Sequence, residues 1–155
     1  MADKLQFELV SPERLILSEP VDMVVVPGSE GNFGVLAGHS LLISTVRPGV
    51  IDVYEGTTIT ERIFVAGGFA EVTADRCTVL ADEAVEVKEL DALAVEANIR
   101  MLEGNEANLK DQANRAVGAE KDAAVAELKD VERNLAVAQA KLAAIRTAPG
   151  AAPAH

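Results

Sequence analysis

Apolar and polar positions alternate in short segments along the first half of the chain. This period of two residues is that of a strand with one buried face. The segments are Leu5/Phe7/Leu9, Val21/Met23/Val25, Ile59 with Ile63 and Val65, and Cys77/Val79/Ala81. Each has the length of a strand, so the pattern predicts a region of strands over residues 1–87.

Turn-forming residues separate these segments. They are Pro27-Gly28, Pro48-Gly49, Glu55-Gly56, Gly67-Gly68 and Ala74-Asp75. Glycine permits positive φ and proline presets a turn, so such pairs connect strands naturally. Many short strands without a helical segment between them favour an antiparallel sandwich or barrel over a sheet of βαβ units.

The second half follows the period of a helix. Between Ala92 and Ala144 there are 15 alanines and two glycines, a composition typical of helices. A strong apolar stripe runs through Val125, Leu128, Val131, Leu135, Ala138, Leu142 and Ile145, and a weaker one through Leu93, Ala97, Met101, Leu109 and Ala113. With a reversal at Gly118, the stripes predict an antiparallel helical hairpin over residues 88–147. Residues 148–155 are predicted to be a disordered tail, and the fold class is α+β.

Composition and charge narrow the function classes. The 155 residues carry a net charge of −11, and 49% of them are hydrophobic. This apolar content can build a core, whereas the acidity opposes binding to nucleic acid or insertion into anionic lipid. Residues 1–87 hold 14 acids against five bases, so a basic protein surface is their expected partner. The chain has neither a signal-like N-terminus nor a membrane-spanning apolar run, which predicts a bacterial cytoplasmic protein.

Residues suited to catalysis or metal binding are scarce. One of the two histidines is the last residue, His155, so no histidine-rich metal site is predicted. His39 and Ser40 are adjacent and lie outside any nucleophile elbow, which favours a turn or an interface over a catalytic pair. Cys77 lies in an alternating apolar run and is predicted to be a buried thiol.

Two glycine clusters invite a functional interpretation. Gly28, Gly31 and Gly34 recur every third residue, yet they lack the pattern and the following helix of a phosphate loop. Gly67-Gly68 is more typical of a strand bulge than of an oxyanion hole. The sequence therefore predicts no catalytic residue, no metal and no cofactor.

Four ordered motifs resemble one known family. They are the run from Val26 to Ser40 (VPGSEGNFGVLAGHS), Arg47–Ile51 (RPGVI), Ala66–Val72 (AGGFAEV) and Val79–Ala84 (VLADEA). The chain resembles the epsilon subunit of bacterial F-type ATP synthases over almost its whole length. The resemblance implies a ten-stranded β-sandwich and two C-terminal helices. It also implies a non-catalytic rotor subunit that binds the gamma subunit and the c-ring, on the cytoplasmic face of the inner membrane, and so couples proton-driven rotation to ATP synthesis.

The resemblance also implies roles for particular residues. The loop Ser29, Glu30, Gly31, Asn32 and Phe33 would contact the c-ring, and His39 would lie toward the gamma subunit. Asn32 stands where the family commonly has an acidic residue. Bases on the second helix would meet the catalytic alpha and beta subunits when an extended hairpin inhibits ATP hydrolysis: Lys129, Arg133, Lys141 and Arg146. Interleaved acids leave a solvated helix face as the other interpretation of these bases.

Some members of this family bind ATP through a Leu-Asp-x-x-Arg-Ala motif. Here Leu90 and Asp91 are kept, but Ala94 and Val95 replace the last two residues. Without the guanidinium, weak or absent ATP binding is expected. The alternative to a rotor subunit is a free-standing, non-catalytic adaptor that bridges other proteins.

Overall fold

The computed structural model describes residues 3–147, and the predicted disordered tail at 148–155 lies outside them. Ten strands come first: β1 (Leu5–Val10), β2 (Leu15–Val21), β3 (Met23–Gly28), β4 (Gly31–Leu36), β5 (Leu42–Val46), β6 (Gly49–Glu55), β7 (Thr58–Val65), β8 (Gly68–Val72), β9 (Arg76–Ala81) and β10 (Ala84–Glu86). A 3₁₀ turn at Val87–Glu89 leads to two helices, α1 (Ala92–Arg115) and α2 (Gly118–Arg146). The predicted α+β fold, a sandwich followed by a helical hairpin, is confirmed.

The strands form two layers that are joined through β3. The hydrogen-bonded order is β10-β7-β6-β3-β5-β8-β9-β1-β2, with β4 on the other side of β3. Residues Met23–Val25 of β3 pair with β6, whereas Gly28 pairs with Val46 of β5. Because β3 changes partner along its length, it belongs to the β10-β7-β6 layer and also connects to the β5-β8-β9-β1-β2 layer.

The predicted alternation buries one face of each layer. Leu5, Phe7 and Leu9 are fully buried, as is Cys77. The alternation predicted over Val21/Met23/Val25 is confirmed at Val21, which is fully buried, but is wrong at Met23 and Val25. The chain passes from β2 to β3 at Asp22, which shifts the inward phase by one residue, so that Val24 and Val26 are the fully buried positions of β3.

The hairpin has its own apolar seam. Leu102 of α1 packs with Leu135 and Ala138 of α2, and Ile99 and Val131 flank them. The predicted stripe is wrong at Leu93, Ala97 and Met101, which are exposed. A stripe at steps of four drifts around the helix, whereas positions 95, 99, 102 and 109 keep one face turned inward.

The start of α1 and the reversal that follows the helix each have a clear cause. Asp91 is the N-cap, and its carboxylate accepts hydrogen bonds from the backbone N–H groups of Leu93 and Ala94. Gly118 has φ +64°, which suits the predicted reversal between the helices. Neither α1 nor α2, the helices found among residues 3–147, is apolar enough over a sufficient length to cross a membrane.

Candidate functional site

The tight turn between β3 and β4 has Ser29 and Glu30 at its tip. Gly28 pairs with Gly31, so only these two exposed residues connect the strands. Gly31 has φ +131°, a conformation that side chains rarely adopt. A Cβ on Gly28 would lie 2.8 Å from the carbonyl oxygen of Gly31. The two flanking glycines therefore permit the close approach that the turn requires.

The other three residues of the predicted c-ring loop lie behind the tip. Gly31, Asn32 and Phe33 are half-buried in β4. Phe33 packs against the sandwich core. The Oδ1 atom of Asn32 accepts a hydrogen bond from Arg47 Nη2 at 2.6 Å. The predicted loop thus consists of an exposed tip, Ser29 and Glu30, and a half-buried segment behind it, residues 31–33.

The segment that precedes β6 anchors the tip. The backbone N–H of Ser29 donates to the carbonyl of Thr45 at 2.9 Å, and the N–H of Arg47 donates to the carbonyl of Pro27 at 2.9 Å. Arg47 Nη1 donates to the carbonyl of Gly28. An open groove of about 500 Å³ lies beside the turn, lined by residues 28–33 and 42–45.

His39 lies at the opposite end of β4 from this turn. Six residues of β4 span roughly 20 Å. The half-buried ring donates from Nδ1 to the carbonyl of Ser40 at 2.7 Å, which leaves Nε2 as the nitrogen available to a partner. Ser40 therefore meets His39 through its backbone, not as a nucleophile beside a base.

An exposed apolar surface crosses the outer face of the β5-β8-β9-β1-β2 layer. Phe69 pairs with Leu80, Leu80 with Val10, and Val10 with Leu15. We call these four residues the outer apolar row. Phe69, Leu80 and Leu15 are 58%, 54% and 55% exposed, and Ile43, diagonal to Phe69 across β5 and β8, is 77% exposed. Such a contiguous exposed patch is typical of a protein-binding surface.

The outer apolar row was not predicted from the sequence, although the sequence carries a signal for it. The inward phase of β9 was recognised at Cys77 and Val79, and that phase places Leu80 outside. An apolar residue at an outward position is the unusual observation in a half-buried strand. The same logic applies to Phe69, whose neighbour Ala70 is buried.

The four predicted hairpin bases all lie on α2 but do not share one face. At about 100° per residue, Lys129 and Arg133 lie about 40° apart, while Lys141 and Arg146 point in other directions. Arg133 is 3.0 Å from Asp130 in an exposed ion pair. The structure therefore brings together only Lys129 and Arg133.

Metal binding and thiol chemistry find little support among residues 3–147. No group of three His, Cys, Asp or Glu side chains in this part of the chain is arranged to hold a metal ion. Cys77 is buried as predicted, and burial raises the pKa of its thiol to about 12. The thiolate that reacts with electrophiles or metals is thus disfavoured.

Comparison with known proteins gives one consistent family. The family model described as ATP synthase, Delta/Epsilon chain, beta-sandwich domain matches residues 4–87. The ATP synthase epsilon chain of Rhodospirillum rubrum is 54% identical over 120 residues, which cover 77% of this chain and 90% of the relative. The epsilon chain of Rhodospirillum centenum is 53% identical over 144 residues, which cover 92% of each.

Solved structures support the fold. A chain in the structure of the Euglena gracilis mitochondrial ATP synthase (OSCP/F1/c-ring, rotational state 1) has a TM-score of 0.69 at 23% identity, covering 94% of this chain and 83% of that one. A chain in the Tetrahymena thermophila mitochondrial ATP synthase (central stalk/c-ring) has a TM-score of 0.52 at 14% identity, covering 90% and 98%. The chain belongs to the ATP synthase epsilon-chain family, whose members are non-catalytic stalk subunits of that complex.

Proposed function

We propose that this chain binds the gamma subunit and the c-ring, and thereby transmits proton-driven rotation to the catalytic head. The observation that carries the proposal is the outer apolar row. A stalk subunit must hold a neighbouring subunit firmly, and desolvated aromatic and aliphatic side chains supply most of the affinity of such contacts. We assign the row to gamma.

The position of His39 supports this assignment. His39 comes two residues before the exposed Leu41 and four before Ile43, so its loop leads into β5, the strand that pairs with β8 beside the Phe69 end of the row. Glu8 and Arg76 form an ion pair of 2.7 Å on the outer face of the same layer and provide a polar rim. An apolar centre with a polar rim is the usual anatomy of a stable interface.

The turn at Ser29 and Glu30 would contact the c-ring. It lies at the far end of β4 from His39, so the two contacts do not compete for one surface. The carboxylate of Glu30 is exposed at the tip and complements a basic loop on the partner. Under this proposal the protein is a peripheral membrane subunit at the cytoplasmic face of the inner membrane.

For the hairpin, we propose a regulatory contact with the catalytic alpha and beta subunits. Lys129 and Arg133 would carry it, because they share a face of α2. Lys141 and Arg146 would need a partner that wraps around the helix. Charge reversal at Lys129 and Arg133 should relieve any inhibition of ATP hydrolysis in the assembled complex, and unchanged hydrolysis would count against this role.

Gamma binding can be tested by replacing Phe69 with Ser and Leu80 with Gln in the full-length chain. Both side chains are already exposed, so the unfolding midpoint should change little. The affinity for purified gamma, measured by calorimetry, should fall about tenfold or more for each. Leu93→Gln, which alters an even more exposed apolar side chain on α1, is the control and should leave the affinity unchanged. Retained affinity in both row variants would refute the assignment.

His39→Ala separates the rotor subunit from the adaptor. A rotor subunit should lose gamma affinity in this variant, whereas an adaptor for unrelated proteins would have no gamma affinity to lose. The wild-type measurement therefore decides first between the two classes, and the variant then tests whether His39 is part of the contact.

A further inference from the structure

We propose that Arg47 is a positioning residue that fixes the turn at Ser29 and Glu30, and that Asn32 serves this clamp instead of touching the c-ring. The proposal rests on the proposed contact between this turn and the c-ring. Asn32 is then a hydrogen-bond acceptor for Arg47 and not a contact residue. Glu30 remains the only acidic side chain at the tip of the turn.

The geometry of the guanidinium supports the clamp. Arg47 is half-buried, and its two terminal nitrogens reach both sides of the turn: Nη1 donates to the carbonyl of Gly28 and Nη2 to Oδ1 of Asn32 at 2.6 Å. The planar group holds its donors in a fixed fork, so two acceptors satisfied at once define one orientation. Hydrogen bonds from a charged donor are also stronger than neutral ones.

The clamp lies where the two layers of the sandwich meet. Gly28 pairs with Val46, the residue before Arg47, and this pair joins β3 to β5. The N–H of Arg47 donates to the carbonyl of Pro27, and the N–H of Ser29 donates to that of Thr45. The backbone of residues 45–47 therefore holds one flank of the turn, and the side chain of Arg47 reaches over to the other, at Asn32. Without the side chain, residues 45–47 would contact only the β3 flank of the turn.

The clamp determines which charges of the turn can reach a partner. The side-chain oxygen of Asn32 is directed toward Arg47, so an added charge at position 32 would meet the guanidinium before it met a partner. A carboxylate there would form an ion pair within the clamp. Glu30, on the exposed tip, has no such partner among the contacts that residues 3–147 provide, and its charge faces solvent.

The clamp itself is tested by amide hydrogen exchange in the full-length chain. In Arg47→Met, the Ser29 amide should exchange about tenfold faster or more, because the turn has lost charged hydrogen bonds. Asn32→Ala should speed the same amide, and the double variant should add little to the single changes. Arg47→Lys, which can reach one acceptor at a time, should recover part of the protection. Amides of β8 and β9 are the internal control and should not change. Unchanged exchange at Ser29 in Arg47→Met would overturn the proposal.

Binding to the purified c-ring in detergent then tests the role of Asn32. Asn32→Asp should leave the affinity within about twofold, because the new charge pairs with Arg47, whereas Glu30→Gln should weaken binding several-fold. A clear gain of affinity in Asn32→Asp would mean that residue 32 touches the basic partner, and would overturn the inference. If the wild-type chain failed to bind the c-ring at all, the proposed function would fail, while the exchange result would still decide whether the clamp exists.

Discussion

Glu19 and Glu61 face each other from inward positions of two strands that lie in different layers of the sandwich. Glu19 pairs with the buried Phe7 across β1 and β2, and Glu61 pairs with the buried Val53 across β6 and β7. Burial raises the pKa of Glu61 to about 7, and a hydrogen bond with Glu19 adds to the rise. Glu86 raises the pKa further, and Lys88 lowers it. Glu61 therefore keeps its proton up to about neutral pH.

This carboxyl pair makes stability depend on pH. Glu61 binds its proton more tightly in the folded state than at its ordinary pKa of 4.5, so its stabilising contribution is complete below about 4.5 and is lost as the pH rises through 7. We expect Glu61→Gln to raise the free energy of unfolding at pH 8 by about 1 kcal/mol, a value reduced for solvent screening. Denaturant unfolding between pH 5 and pH 8 measures this.

Asp22 provides a control for the effect of Glu61, because its pKa is shifted in the opposite direction. The pKa of Asp22 is lowered, chiefly by its hydrogen bond with Lys4, so its contribution is present at neutral pH and is lost in acid. Asp22→Asn should therefore alter the acid limb of the stability profile and leave the limb between pH 5 and pH 8 as in the wild type. If Glu61→Gln left the slope of that upper limb unchanged, the raised pKa of Glu61 would be excluded.

Gly68 should tolerate no side chain. A Cβ there would lie 1.9 Å from the carbonyl oxygen of Leu80, and its φ is +143°. We expect Gly68→Ala to lower the free energy of unfolding of the sandwich by about 3 kcal/mol or more, through the clash and the backbone strain together. Gly104→Ala is the matched control, since Gly104 lies within α1 and, apart from the nearby backbone of its own helix, no atom lies within 4 Å of the new Cβ. It should stabilise that helix by up to about 1 kcal/mol.

The N-cap of α1 should contribute measurably to the hairpin. Asp91→Ala removes the acceptor for the N–H groups of Leu93 and Ala94 and should cost about 1 kcal/mol of local helix stability. Faster amide exchange at Leu93, with little change at Leu135, is the expected observation. Asp91→Ser keeps a capping oxygen and should restore most of the protection. Equal exchange in the alanine and serine variants would contradict the capping role.

ATP binding should be weak or absent. Position 94 is an alanine, so the start of α1 offers no guanidinium to the phosphates, and Asp91 already accepts two backbone hydrogen bonds. Calorimetry with MgATP should give no dissociation constant in the micromolar range. Ala94→Arg restores the missing charge and should tighten any residual binding. A micromolar constant for the unaltered chain would refute the prediction.

Alternation along the strands was enough to predict the sandwich, because one buried face per strand leaves a period of two in the sequence. It failed where the chain changed strand at Asp22, since a shift of one residue exchanges the two faces. The helical seam was predicted in α2 through Val131, Leu135 and Ala138. In α1 the predicted seam lay partly on an exposed face, because a helix rich in alanine shows little difference in hydrophobicity between its faces.

The candidate surfaces were less predictable. The turn at Ser29 and Glu30 followed from glycine spacing and family resemblance, whereas the clamp by Arg47 depends on a contact across 15 residues that no local pattern encodes. The outer apolar row combines residues from four strands, and only their register assembles it. The pairing of Glu19 with Glu61 likewise required the three-dimensional arrangement of the two layers.

The hairpin of β3 and β4 has a mechanical consequence. Its six residue pairs run from Met23 and Leu36 at one end to Gly28 and Gly31 at the other. A pull along the strand axis, between the tip and the far loop, would load all of these pairs at once in shear. A sideways pull on β4, which pairs with β3 alone among the described strands, would peel them apart one after another. The element should therefore be stiff lengthwise and weak across its width.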